Sequence, residues 1–182
     1  MRTLTVLILT IFLVLTGCSD ADWRTASRHP AGIAPDPAVN HEAVVQVYAA
    51  RAWGWRGWFA VHTWIATKGN GEPFYTVYEV IGWRGNRGLP VLRIEPDAPD
   101  RYWFGKRPRL LADYRGNEAN LLIEQIGTAA YSYPWPTEYR VFPGPNSNTF
   151  TSWVIDQVPD LDVRLPLSAI GSGYIKQSPI FH

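Results

Sequence analysis

The chain has 182 residues, a net charge of +1 and one cysteine, Cys18. A charge so near balance gives no general attraction to nucleic acid, which is not expected as a partner. One cysteine excludes an internal disulfide and any thiolate zinc site.

The N-terminus reads as a processing segment. Met1-Arg2-Thr3 is a short basic start, and Leu4 to Leu15 is almost wholly apolar. That run is shorter than the roughly 20 residues that span a bilayer. The ending Leu15-Thr16-Gly17-Cys18 resembles a bacterial lipoprotein box. The resemblance implies cleavage of a signal peptide over 1–17 and acylation of Cys18, palmitate included. Three acyl chains, at about 0.8 kcal/mol per buried methylene, make such attachment effectively permanent. Ser19, not an aspartate, follows the cysteine. In Gram-negative lipoproteins that implies the outer membrane, facing the periplasm. The lipid makes the membrane the first expected partner; peptidoglycan or an envelope protein is the second.

Residues 18–40 then read as lipidated cysteine and flexible tether, with Pro30, Pro35 and Pro37 and no period. Such a tether averages about 25 Å end to end. Residues 41–182 read as one globular domain, long enough for a real core.

His41 to Ala50 is apolar and fits a strand or a short helix, with Val44, Val45, Val47 and Tyr48 favouring strand. Trp58 to Thr67 and Phe74 to Trp83 have the β-branched and aromatic content of buried strands, joined by a turn at Lys68 to Pro73. They predict a hairpin. Leu89 to Ile94 and Arg109 to Tyr114 are further strand candidates. Asn117 is a plausible cap for a helix whose stripe runs through Leu121, Leu122, Gln125 and Ile126 to about Ala130. Glu138 to Phe142 reads as a short strand. Phe150, Trp153, Val154, Gln157 and Val158 recur at helical spacing, and Pro159 ends that helix. The class is α+β: an antiparallel sheet around a central hairpin, with two or more helices packed on it.

If Thr67 pairs with Phe74, His62 falls opposite Glu79 on a largely apolar face shared with Trp64. The carboxylate would orient the imidazole and raise its basicity. A semi-buried pair that only stabilises the hairpin is the bland alternative. Gly144 to Trp153, GPNSNTFTSW, places Asn146, Ser147 and Asn148 at a helix start behind Pro143 and Pro145. Ser147 is then a nucleophile, a binding group or only a cap. A helix end alone does not activate a serine, so the catalytic option needs His62 as base and Glu79 as its orienter.

The blocks VHTWIATK, YEVIGWR and GPNSNTFTSW resemble a bacterial envelope lipoprotein family of unknown function, over about 44–165. More remotely, their order is similar to circularly permuted papain-like enzymes of the lecithin–retinol acyltransferase-like group. That likeness implies roles for His62, Glu79 and Ser147, with serine where those enzymes carry cysteine. Two functions follow. One is a His/Glu/Ser pocket that binds an envelope ligand or partner, with Asn146, Asn148, Trp64 and Arg84 as binding groups. The other is a hydrolase or acyltransferase acting on amide or ester bonds.

A third reading, a structural or assembly role, starts from the nine tryptophans. Alternation along a strand at Trp53 to Trp58 would set Trp53 and Trp55 on one face and Arg56 and Trp58 on the other. Gly82 to Gly88 matches neither the dinucleotide nor the P-loop fingerprint and reads as a loop with solvated arginines. The histidines lack metal-ligand spacing, and Glu95, Asp97 and Asp100 lack that of a calcium loop. No metal or cofactor is expected.

Overall fold

A computed structural model describes residues 22–177. The expected signal peptide and Cys18 lie outside the described residues.

Five strands form one antiparallel sheet: β1 (Val44–Arg51), β2 (Val61–Lys68), β3 (Thr76–Val80), β4 (Leu92–Pro96) and β5 (Arg109–Arg115). Their spatial order is β4-β3-β2-β1-β5. Three helices join them: α1 (Gly82–Gly85), a single turn, then α2 (Gly116–Tyr131) and α3 (Ser147–Gln157). Short 3-10 turns occupy Gly54–Trp58 and Ser172–Gln177. This is the α+β sheet that the strand and helix periods predict.

Both faces of the sheet are covered, so β1 and β2 are buried along nearly their whole length, polar residues of β2 included. Odd-numbered residues of β2 face the helices. Val45, Val47 and Ile65 pack there with Leu122 and Ile126 of α2 and Phe150 and Val154 of α3. Ala119, Leu122, Ile126 and Ala130 form the inward stripe of α2 at helical spacing. Trp153 ties the helices together by donating its indole N–H to the Ala129 carbonyl at 2.8 Å.

Even-numbered residues of β2 face the other way. Tyr48, Trp64, Ala66 and Val77 form a second core that irregular chain covers, with Trp103 and Phe104 at its centre. Irregular backbone over a sheet must find its own hydrogen-bond partners. Asp100 accepts from the Ile33 and Ala34 amides, and Trp64 donates to the Pro99 carbonyl at 2.7 Å. Tyr75 donates to the Pro35 carbonyl at 3.0 Å, and Pro30 bridges Arg101. The part of the expected tether within the described residues is therefore held on the sheet, not free along its length.

Several local expectations are corrected. Asn117 is not the cap of α2; Arg115 occupies that position with no side-chain bond. Glu138 to Phe142 pairs with no strand. Trp53 to Trp58 is a 3-10 turn rather than a strand, so its side chains do not alternate between two faces. The hairpin register is Thr67 opposite Thr76, two residues from the expected pairing. The connecting turn is longer because Glu72 folds back to accept from the Gly69 amide at 2.9 Å.

Candidate binding site

The two-residue slip keeps parity, so His62 and Glu79 still share a face. Extension of the register puts Glu79 opposite Trp64, one diagonal step from His62. The pair meets at 3.1 Å between His62 Nε2 and Glu79 Oε2. Glu79 is wholly buried, and Arg93 and Arg101 both donate to its other oxygen, at 2.7 and 2.5 Å. Burial alone would raise the Glu79 pKa. Arg101, His62 and Arg93 outweigh it and hold the carboxyl down to about 2. Asp97 supports the same arginines, 2.9 Å from Arg93 and 3.5 Å from Arg101.

Burial lowers the His62 pKa, against the pull of Glu79 and with the help of Arg101. The imidazole is thus neutral, with its proton on Nε2, because a carboxylate only accepts. Trp103 stacks flat on the ring, centroids 3.6 Å apart and planes 10° apart. His62 is sealed under an indole.

Ser147 does not join this pair. Thr63, the next residue along β2, faces α3: its hydroxyl lies 3.0 Å from Asn148 Oδ1 and 2.9 Å from Thr151 Oγ1. Alternation along the strand sends His62 to the opposite face. The start of α3 and the imidazole therefore sit on different sides of the sheet. The Ser147 hydroxyl makes no hydrogen bond among the described residues, to His62 or to any other group. The triad expected of Ser147, His62 and Glu79 is not assembled. Ser147→Ala should change stability by less than about 0.5 kcal/mol, measured by urea unfolding.

Asn146 and Asn148, expected as ligand contacts, are consumed inside the fold. Asn146 caps α3, its Oδ1 accepting from the Asn148 and Thr149 amides at 2.9 and 3.2 Å. Its Nδ2 donates to the Val141 and Ile170 carbonyls, both at 3.1 Å. Asn148 Nδ2 donates to Val61 at 3.0 Å and to Ile170 at 2.9 Å. Gly171, at φ +93°, presses so close that a Cβ would stand 2.3 Å from Asn146 Nδ2. Trp64 is likewise buried, stacked on Tyr48 with centroids 5.5 Å apart, and reaches no cleft.

Arg84 is the expected binding residue that does line an opening. A cleft of about 290 Å³ lies between the loop after β3 and the segment before β5. Its walls carry Trp83, Trp103 and Phe104, and five arginines: Arg28, Arg84, Arg87, Arg93 and Arg101. Asp97 is the one acid on those walls. Arg84 and Arg93 reach Glu95 at 3.4 and 3.0 Å, and Arg93 and Arg101 hold Glu79. Arg28 and Arg87 have no acidic partner among the described residues. Arg28 instead rests its guanidinium on the Phe104 ring, 4.2 Å from the centroid. Arg101 Nη1 is buried with no hydrogen-bond partner among the described residues. Sequence reasoning missed Arg28, Arg93 and Arg101, which come from three separate segments. The one local signal was arginines interleaved with acids, Arg93, Glu95, Asp97 and Arg101.

No group of histidines, cysteines and acids among the described residues could hold a metal ion. A family model, described as a protein of unknown function (DUF3750), matches residues 42–174, which include β1 to β5 and all three helices. No curated protein and no solved structure matches the chain.

Proposed function

Because the chain belongs to the DUF3750 family of unknown function, we propose an activity from its own geometry: a lipid-anchored envelope protein that binds an anionic ligand without turning it over. The observation that carries this reading is the cleft's charge, with Arg28 and Arg87 left unpaired on its walls. Guanidinium groups form charge-assisted hydrogen bonds with phosphate and carboxylate, each contributing about 1.5–3 kcal/mol. The indole and phenyl walls suit a ligand whose remaining part is apolar or a sugar face. The ligand class is therefore a phosphate- or carboxylate-bearing molecule with such a body.

His62 and Glu79 serve this cleft from behind. Glu79 fixes Arg93 and Arg101, and His62 supports the Trp103 wall. The lipoprotein box supplies the location: acylation on Cys18, attachment to the outer membrane and a periplasmic domain, with peptidoglycan or an envelope protein as the source of ligand. A serine hydrolase or acyltransferase of permuted papain-like layout would need a nucleophile and base on one side of the sheet, and Ser147 and His62 do not meet.

Calorimetric titration of the purified protein with inorganic pyrophosphate, glycerol phosphate and succinate tests the reading. At least one should bind, more weakly as salt screens the charges. The double variant Arg84→Gln/Arg87→Gln should weaken that binding about tenfold or more, with little change in unfolding midpoint. Absence of heat with all three probes would overturn the cleft as an anion site. A fluorophosphonate label lost in Ser147→Ala would restore the hydrolase.

A further inference from the structure

The exposed aromatic side chains are not scattered. The end of β1, the start of β2, the end of β3 and the start of β4 lie at one end of the sheet. The connections 52–60 and 81–91 therefore share that end. The tail joins them, since Val61 donates its amide to the Ser168 carbonyl and Leu92 donates to Pro136. Tyr139 packs against Gly82, where a Cβ would stand 2.6 Å from its ring.

This end exposes Trp55 (65%), Trp58 (82%), Phe59, Trp83, Phe142 (76%) and Leu167. Trp23 is the other exposed tryptophan among the described residues. It lies four residues before Ser27, which accepts from the Gly105 amide beside Phe104, whose ring contacts Trp53 and Trp83. Elsewhere the large exposed apolar residues, Val39, Phe74, Leu121 and Tyr131, come from three other segments. So many exposed rings at one end mark a contact surface, not ordinary scatter.

Charge and chain geometry select the occupant. Connections 52–60, 81–91, 136–147 and 166–171 carry Arg56, Arg84, Arg87 and Arg140 against one acid, Glu138. Tryptophan and tyrosine favour the membrane–water interface, and arginine beside them favours anionic headgroups. Cys18 precedes Asp22 by four residues, a reach of at most about 14 Å. We infer that this aromatic, arginine-bordered end seats on the surface of an anionic bilayer, as a second contact beside the acyl anchor. The inference rests on the lipidation of Cys18 in the proposed function, not on the anion cleft.

The acylated protein, reconstituted in phosphatidylethanolamine–phosphatidylglycerol vesicles with brominated acyl chains, provides the test. Wild-type tryptophan fluorescence should be quenched. Trp55→Ser/Trp58→Ser removes two of the four exposed tryptophans and should remove about half of that quenching. Both residues are exposed, so the unfolding midpoint should hold and serves as the control. Mass spectrometry of the same preparation counts the acyl chains. An unacylated chain overturns the anchor and this inference together. An acylated chain without quenching, or with equal quenching in the variant, overturns the docking surface alone. In that event a photo-crosslink from position 58 to an envelope protein would assign the surface to a protein partner.

Discussion

Glu79→Gln should destabilise the domain by about 3–5 kcal/mol, nearer the lower figure. The substitution keeps size and a hydrogen-bonding oxygen but removes the charge between Arg93 and Arg101. Breaking one side of a buried ion pair leaves the other side uncompensated in a poor solvent for charge. Asp97 remains beside both arginines and softens the loss. Urea unfolding followed by tryptophan fluorescence measures it. A change below about 1 kcal/mol would mean that the network is solvated like a surface pair.

The pH profile adds a signature that lost packing alone would not produce. Glu79 is held down to about 2 in the fold, and an ordinary carboxylate titrates near 4.3 when unfolded. Its stabilisation is complete above the unfolded value and is lost as pH falls towards 2. His62 is also depressed. The unfolded chain takes up that proton below about pH 6.5 while the fold resists it, so stability starts to fall there. Glu79→Gln should abolish the Glu79 contribution to the lower stage and keep the upper one. His62→Gln should do the reverse.

The sheet and its helices were legible because both obey a period. β2 and β3 are rich in β-branched and aromatic residues, and Leu122 and Ile126 repeat one turn apart on α2. The His62–Glu79 contact was legible for a narrower reason: the turn length was wrong by two residues, and an even error preserves the face. An odd error would have separated them. The same alternation that joins His62 to Glu79 separates it from Ser147. Reading the start of α3 as a catalytic element required knowing which side of the sheet it packs on. Thr63 decides that, through contacts with residues 85 and 88 positions away. The arginine cleft was not legible, since Arg28 and Arg101 reach it from irregular segments laid over the second core. No hydrophobic period encodes such a path. The hydrogen bonds of Asp100 to Ile33 and Ala34 hold it in place, and in the sequence Asp100 reads only as a loop acid.

Asn146 and Asn148 should show the opposite behaviour to their neighbour Ser147, and their double variant should cost more than the sum of the singles. Asn146→Ala removes the α3 cap, about 0.5–2 kcal/mol, and the donor to the Val141 carbonyl. Asn148→Ala removes the donor to the Val61 carbonyl and an acceptor facing Thr63. A buried polar group left unsatisfied costs about 1–3 kcal/mol, so each single variant should lose on the order of 2–3 kcal/mol. The Ile170 carbonyl makes them non-additive. It accepts from both side chains, so either single variant leaves it one partner and only the double variant strips it. The coupling should be about 1 kcal/mol or more, with the double variant less stable than additivity predicts. Additive losses would show that water replaces the missing donors. A large loss in Ser147→Ala would show instead that the hydroxyl has a place in the fold. A pattern of severe, neutral and severe across three consecutive residues would identify GPNSNTF as a clasp between α3, the start of β2 and the 166–171 tail. Through that clasp, Leu167 and Val61 are held at the end of the sheet where the exposed tryptophans gather.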